Sequence, residues 1–165
     1  MPPDTKTTRR VNHTAIYCTR ALFAQWPRIA RRWFKTYPRL FDSDDLRLTV
    51  TQPRNHFREW FAAIHLFHRS GARSLVEKYG ASTHPRKRPI LDSLLSDSEQ
   101  DILWSICRHV QPPDLLVYDP QALTYSFVEV KGEFELIPQK QLRSHALIRV
   151  RLGVPVELIE VRIRS

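Results

Sequence analysis

The chain has 165 residues, with 26 Lys and Arg against 17 Asp and Glu, a formal charge of +9 and an isoelectric point near 10.1. At 42% hydrophobic residues, with four Trp and eight Phe, it can bury a core of ordinary size, which excludes general disorder. No apolar run approaches the roughly 18–20 residues of a membrane span, the start MPPDTKTTRR lacks an apolar signal region, and Cys18 and Cys107 make neither a disulfide framework nor a zinc knuckle. The expected setting is therefore intracellular, cytoplasmic or nucleoid/nuclear, with no secretion and no membrane partner.

The charge is unevenly placed. Residues 1–40 hold nine Lys and Arg and one acid, Asp4, so +8 of the +9 lies there. Residues 1–14 read as a polar tail. Tyr17 to Tyr37, dense in aromatic and basic groups, reads as one helix interrupted near Pro27. Phe23, Ile29 and Trp33 are placed to share an apolar side, and Arg28, Arg31, Arg32 and Lys35 project elsewhere, a charge density suited to phosphate contact or to a solvated docking face. Residues 1–50 are accordingly expected to form a basic, largely helical extension, and 51–165 a separate domain.

In LFDSDDLRLTVTQPRN, DSDD and QPRN punctuate a short predicted strand, Leu46–Val50. His56–Ser70 has the spacing of an amphipathic helix stopped by Gly71. Its His56, His65 and His68 are read as core-edge or surface residues. ARSLVEKY, 72–79, is a predicted strand. A basic loop follows around His84–Arg88, and with Lys78 its Arg86, Lys87 and Arg88 are candidates for DNA contact. Ser96 or Asp97 is placed to cap a helix running to about His109. Trp60 and Trp104 fall at apolar helical positions and read as core. Four glycines leave no room for a phosphate-cradling loop.

The last third is the clearest. Asp114–Tyr118 and Tyr125–Lys131 read as strands around an Asp119-Pro120 turn. Pro138–Leu152 reads as a helix ended by Gly153, and Val156–Val161 as a closing strand. Side chains alternate along a strand, so Glu129 and Lys131 share a face. If the two strands form a hairpin, Asp114 approaches Glu129, and two carboxylates and an ammonium converge. Two carboxylates suit Mg²⁺, and a metal-bound water beside a lysine suits attack on phosphorus.

PPDLLVYD followed by FVEVKG resembles the PD-(D/E)XK nuclease motif, and EVKGEFELIPQKQLRSHALIRVRLGVPVELIEV resembles the VRR-NUC branch of that superfamily, over about residues 112–161. The resemblance implies a restriction-endonuclease-like α/β core, a mixed four-stranded sheet flanked by helices. It also implies metal-dependent DNA cleavage with Mg²⁺ or Mn²⁺. Asp114, Glu129 and the Val130 carbonyl would bind the metal, Lys131 would position or activate the attacking water, and Gln141 would hold Lys131, a bound water or the phosphate. A further carboxylate is expected from the first core helix; Glu59 ranks ahead of Glu99 and Glu77. Glu133 and Glu135 stand where many relatives carry Gly-Pro and an Asp, adding negative charge beside the site. The expected partner is DNA, recognised by shape or through a protein partner or homodimer. The alternatives are a catalytically inactive DNA-binding subunit and the nuclease component of a transposition or other mobile-element complex.

Overall fold

A computed structural model describes residues 12–76, 78–80 and 84–165; the tail before Asn12 and the candidate Glu77 lie outside the described residues. The elements in chain order are β1 His13–Thr19, α1 Arg20–Phe23, α2 Arg28–Thr36, α3 Ser43–Thr51, α4 Phe57–Ser70, β2 Arg73–Val76, α5 Lys87–Leu94, α6 Asp97–Ile106, β3 Leu115–Tyr118, β4 Tyr125–Gly132, α7 Gln139–Arg151 and β5 Val156–Arg164. Among the described residues no helix is long and apolar enough to cross a membrane.

The strands form one mixed sheet in the order β1-β5-β4-β3-β2, so the sheet has five strands where four were expected. β1 and β5 run parallel, as do β5 and β4; β4 with β3 and β3 with β2 run antiparallel. The extra strand, His13–Thr19, spans the end of the stretch read as a tail and the start of the stretch read as helix. HTAIYCT alternates, with Ile16 and Cys18 buried and Tyr17 turned outward, and its backbone pairs along β5 from His13–Leu158 to Thr19–Arg164. Aromatic density masked a period of two, which pairing with a distant strand makes decisive.

The predicted strand at Leu46–Val50 is helical instead. Asp42 accepts from the backbone N–H of Asp44 and Asp45, and the Asp45 carboxylate accepts from the Asp42 N–H, each at 3.0 Å. DSDD is thus a reciprocal cap that starts α3. The basic loop is likewise shorter than expected, because α5 begins at Lys87.

Helices cover both sheet faces. α2 and α4 pack on one side, where Ile29, Trp33, Phe41, Phe57 and Trp60 meet Val128 and Val130. Phe41 and Trp60 stack with ring centroids 3.7 Å apart. Across the sheet, Phe127 lies with Tyr79, Leu91, Leu103 and Ile148 from the side of α5, α6 and α7. Residues 13–50 supply an edge strand and part of the main core. Deleting residues 1–40 would remove Ile16, Cys18, Ile29, Ala30, Trp33 and Leu40 from that core.

Close packing also fixes Gly80. A Cβ there would lie 2.6 Å from the Trp104 ring. Gly80→Ala is expected to cost about 1–3 kcal/mol by overpacking, read as a lowered midpoint in urea unfolding with an unchanged m-value.

Candidate active site

The β3–β4 hairpin builds the centre. Leu115 pairs with Val128, so the next step along the ladder sets Asp114 across from Glu129. The Val130 N–H donates to Asp114 Oδ2 at 2.8 Å, which fixes that carboxylate at the strand edge. Glu129 is 1% exposed. Lys131, two residues on, places Nζ 2.8 Å from Glu129 Oε1. From the first half of α7, His145 brings Nε2 to 3.5 Å from Glu129 Oε2. Neither contact is aligned as a hydrogen bond, and both Glu129 oxygens, Gln141 Oε1 and His145 Nε2 lack hydrogen-bond partners among the described residues. Lys131 and Glu129 form an ion pair.

A cleft of about 810 Å³ opens beside it, lined by Glu59, Arg58, Lys78, Asp114, Val130 and Lys131 among others. Glu129 lies behind Lys131 and does not border the cleft. Burial pushes the Asp114 carboxyl up to about 8, and the charges of Glu129 and Glu59 add to the effect. Burial also opposes ionisation of Glu129, but His145 and Lys131 outweigh it and hold that carboxyl below its ordinary value. Burial lowers the Lys131 ammonium while Glu129 and Asp114 raise it, and the carboxylates win. Two further carboxylates, Glu129 and Glu59, and the Lys131 ammonium thus surround Asp114, and burial with the two acids disfavours its ionised form. The two Glu129 oxygens without hydrogen-bond partners and the crowding of Asp114 are what a divalent cation would relieve, and oxygen donors of this kind fit Mg²⁺ or Mn²⁺, although Asp114, Glu129 and Glu59 do not bring three ligand atoms within 4.8 Å of one another.

Among the three glutamate candidates, Glu59 lines the cleft and acts on Asp114. Glu99 instead accepts from the Ser96 N–H at 2.7 Å and caps α6. Gln141 sits one turn before His145 on α7. Val130 borders the cleft and contributes its N–H to Asp114.

His145 was not foreseen. Its signal was present, since it stands four residues after Gln141 and so shares its helix face. Arg58 was also missed. Its guanidinium covers Gly132 so closely that a Cβ there would lie 2.8 Å from Arg58 Cζ.

The candidate DNA contacts divide. Arg28, Arg31, Arg32 and Lys35 are exposed on α2, opposite its buried Ile29, Ala30 and Trp33. Lys78 is exposed at the cleft. The His84–Arg88 group does not form an outward basic loop. Lys87 is 3% exposed, with Nζ 2.6 Å from Asp45 Oδ1 and donating to the Val76 carbonyl at 3.0 Å. Arg86 donates to Asp42 Oδ2 at 3.1 Å and to the Arg39 carbonyl at 2.8 Å. Arg88 pairs with Asp92 at 2.8 Å.

Asp42, Asp44 and His84 also converge, with one ligand-type atom each inside a 4.8 Å span. His84 Nδ1 accepts from the Arg86 and Lys87 N–H groups at 3.1 and 3.2 Å. A neutral ring must then carry its proton on Nε2, the atom facing both aspartates. That nitrogen has no lone pair for a cation, so this cluster ties α3 to the start of α5.

No protein-family model matches the chain, and no curated protein matches it. A crystal structure of paFAN1 bound to 2-nt 5′-flap DNA with a gap matches with a TM-score of 0.43 and 24% identity. That match covers 50% of this chain and 16% of the other.

Proposed function

We propose that this chain is a divalent-metal-dependent deoxyribonuclease that hydrolyses phosphodiester bonds through Asp114, Glu129 and Lys131. The observation that carries the reading is the gathering of Glu129, Glu59 and Lys131 about Asp114 beside an open cleft. The sequence likeness to PD-(D/E)XK nucleases of the VRR-NUC branch rests on the same residues. Asp114, Glu129, Glu59 and the Val130 carbonyl would hold Mg²⁺ or Mn²⁺. When bound, the cation offsets charge on the phosphate and acidifies a bound water.

The chain's own groups do the rest. Lys131 exchanges its pairing with Glu129 for a position beside the attacking water, where its ammonium steadies the developing anion. Gln141, whose carbonyl oxygen has no hydrogen-bond partner among the described residues, accepts from Lys131 or from that water. Arg58 and Lys78 at the cleft, and Arg28, Arg31, Arg32 and Lys35 on α2, neutralise phosphates without reading bases. A non-catalytic DNA-binding subunit is the competing reading, favoured by the Lys131–Glu129 pair that shuts Glu129 away from the cleft.

One experiment separates the two. The purified chain is incubated with end-labelled plain, nicked, flapped and branched DNAs in Mg²⁺ or Mn²⁺. Cleavage of at least one DNA that stops on addition of EDTA is the expected result. Binding without cutting in either ion would assign the chain to the subunit class.

A further inference from the structure

The loop between β4 and α7 borders the cleft through Glu135 and carries two apolar side chains that touch almost nothing. Phe134 and Leu136 are each 90% exposed, on either side of Glu135. Flexibility does not explain this exposure, because the loop is tied down at both acids. The Glu135 N–H donates to the Gly132 carbonyl at 3.1 Å, closing a tight turn, and the Gly132 N–H donates to Glu135 Oε2 at 2.6 Å. Glu133 receives two hydrogen bonds from Arg164, at 2.7 and 3.0 Å, and Arg164 in turn lies over the Tyr17 ring.

At the tip of the turn Phe134 has φ +67°, a conformation that favours glycine and is uncommon for a bulky residue. A fold that needed only the turn would be better served by Gly or Asn. Strain at a clamped and exposed position directs attention to what the side chain meets.

Deepening the proposed nuclease reading and resting on it, we infer that Phe134 and Leu136 engage an unpaired nucleobase next to the scissile phosphate, making the enzyme selective for DNA with an unstacked base at the cut. The surroundings indicate a base and not a backbone. The cleft's basic lining, Arg54, Arg58, Lys78 and Lys131, attracts phosphates, whereas Glu135 and the Arg164-paired Glu133 leave the loop itself without net positive charge. A ring and an aliphatic side chain held rigidly outward suit the flat apolar face of a base, and stacking on such side chains tolerates any sequence. In continuous duplex every base is already stacked, so the loop gains nothing from it.

The test uses the full chain carrying Lys131→Ala, so that DNA survives, and adds Phe134→Gly with Leu136→Ser. Phe134→Gly relieves the positive φ, so thermal stability should hold or rise. Each protein is titrated onto DNA with 2-aminopurine unpaired at a fork and onto the same label within continuous duplex. The expected result is a fluorescence change at the fork base that the added substitutions remove, with roughly ten-fold weaker fork binding and unchanged duplex binding. Equal affinities with and without the substitutions, or equal loss on both DNAs, would overturn the inference. So would a change confined to self-association in sedimentation, which would make the loop a protein contact. The nuclease reading fails separately, if the unmodified chain cuts neither DNA in Mg²⁺ or Mn²⁺. Binding of neither DNA overturns both.

Discussion

Asp114→Asn is expected to abolish divalent-dependent cleavage, by on the order of 10³-fold, while leaving the fold intact. The asparagine carbonyl replaces Oδ2 as acceptor for the Val130 N–H, so the link between the strand edge and β4 survives. What is lost is a negative charge that the metal-free protein tolerates poorly. The Asp114 carboxyl stands near 8 in the folded chain against an ordinary 3.8, chiefly through burial and then through Glu129 and Glu59. The folded state therefore binds this proton more tightly than the unfolded state. Its contribution to stability is fully present below about pH 4, is lost as pH rises toward about 8, and changes little beyond.

In EDTA, thermal unfolding across this range should show the native chain losing stability with pH and the asparagine variant losing less. Lys131→Ala should lower cleavage by about 10²–10³-fold, with DNA binding weakened far less. Removing the lysine leaves Glu129 facing His145 alone, so a small loss of stability accompanies it. Equal cleavage by the native chain and both variants would remove this site from the chemistry.

Lys87→Met is expected to destabilise the protein by about 3–5 kcal/mol while leaving DNA affinity unchanged below the melting temperature. The lysine lies inside, between the Asp45 carboxylate, the Val76 carbonyl and, at 3.7 Å, Asp42. Burial lifts the Asp45 carboxyl to about 6 even with the ammonium beside it. Without Lys87 that carboxyl would face a buried site with no nearby lysine and would take up a proton. Adding Asp45→Asn removes the charge and keeps an acceptor for the Asp42 N–H that starts α3, so the double variant should recover most of the loss. Guanidinium unfolding of the two single variants and the double variant measures the coupling directly. A DNA-affinity defect in Lys87→Met at full stability would return the residue to the surface role read from sequence.

These two sites show what a linear reading captures. The centre of the candidate site was legible because its determinants are local. Asp114 precedes a short apolar run, Glu129 and Lys131 are two apart on a strand, and Gly71 and Gly153 stop helices in left-handed conformations. The Ser96 cap of α6 and the helix from Phe57 to Ser70 were equally readable from period and punctuation.

Long-range partners decided the rest. Lys87 looks like part of a charged loop until Asp45 is brought to it from 42 positions earlier. Asp42-Ser43-Asp44-Asp45 fits either a turn or a cap, and only the helix behind it chooses. β1 needed β5, whose residues carry the partner backbone. The +8 segment was read as an arm because charge on exposed faces is visible in composition, whereas buried Ile16, Cys18, Ile29 and Trp33 among those charges are not.

The pairing of β1 with β5 also sets a schedule. During synthesis the strand at residues 13–19 is made long before its parallel partner, residues 156–164. β4 likewise waits for β5 on its far edge, so the strand bearing Glu129 and Lys131 stays an unprotected margin until then. Contacts so distant along the chain form slowly, because a large loop must close before they repay its entropy. A nascent chain halted before residue 156 would hold Asp114, Glu129 and Lys131 without the strand that braces them. The proposed centre is therefore braced on both sides of β4 only once β5 has been made.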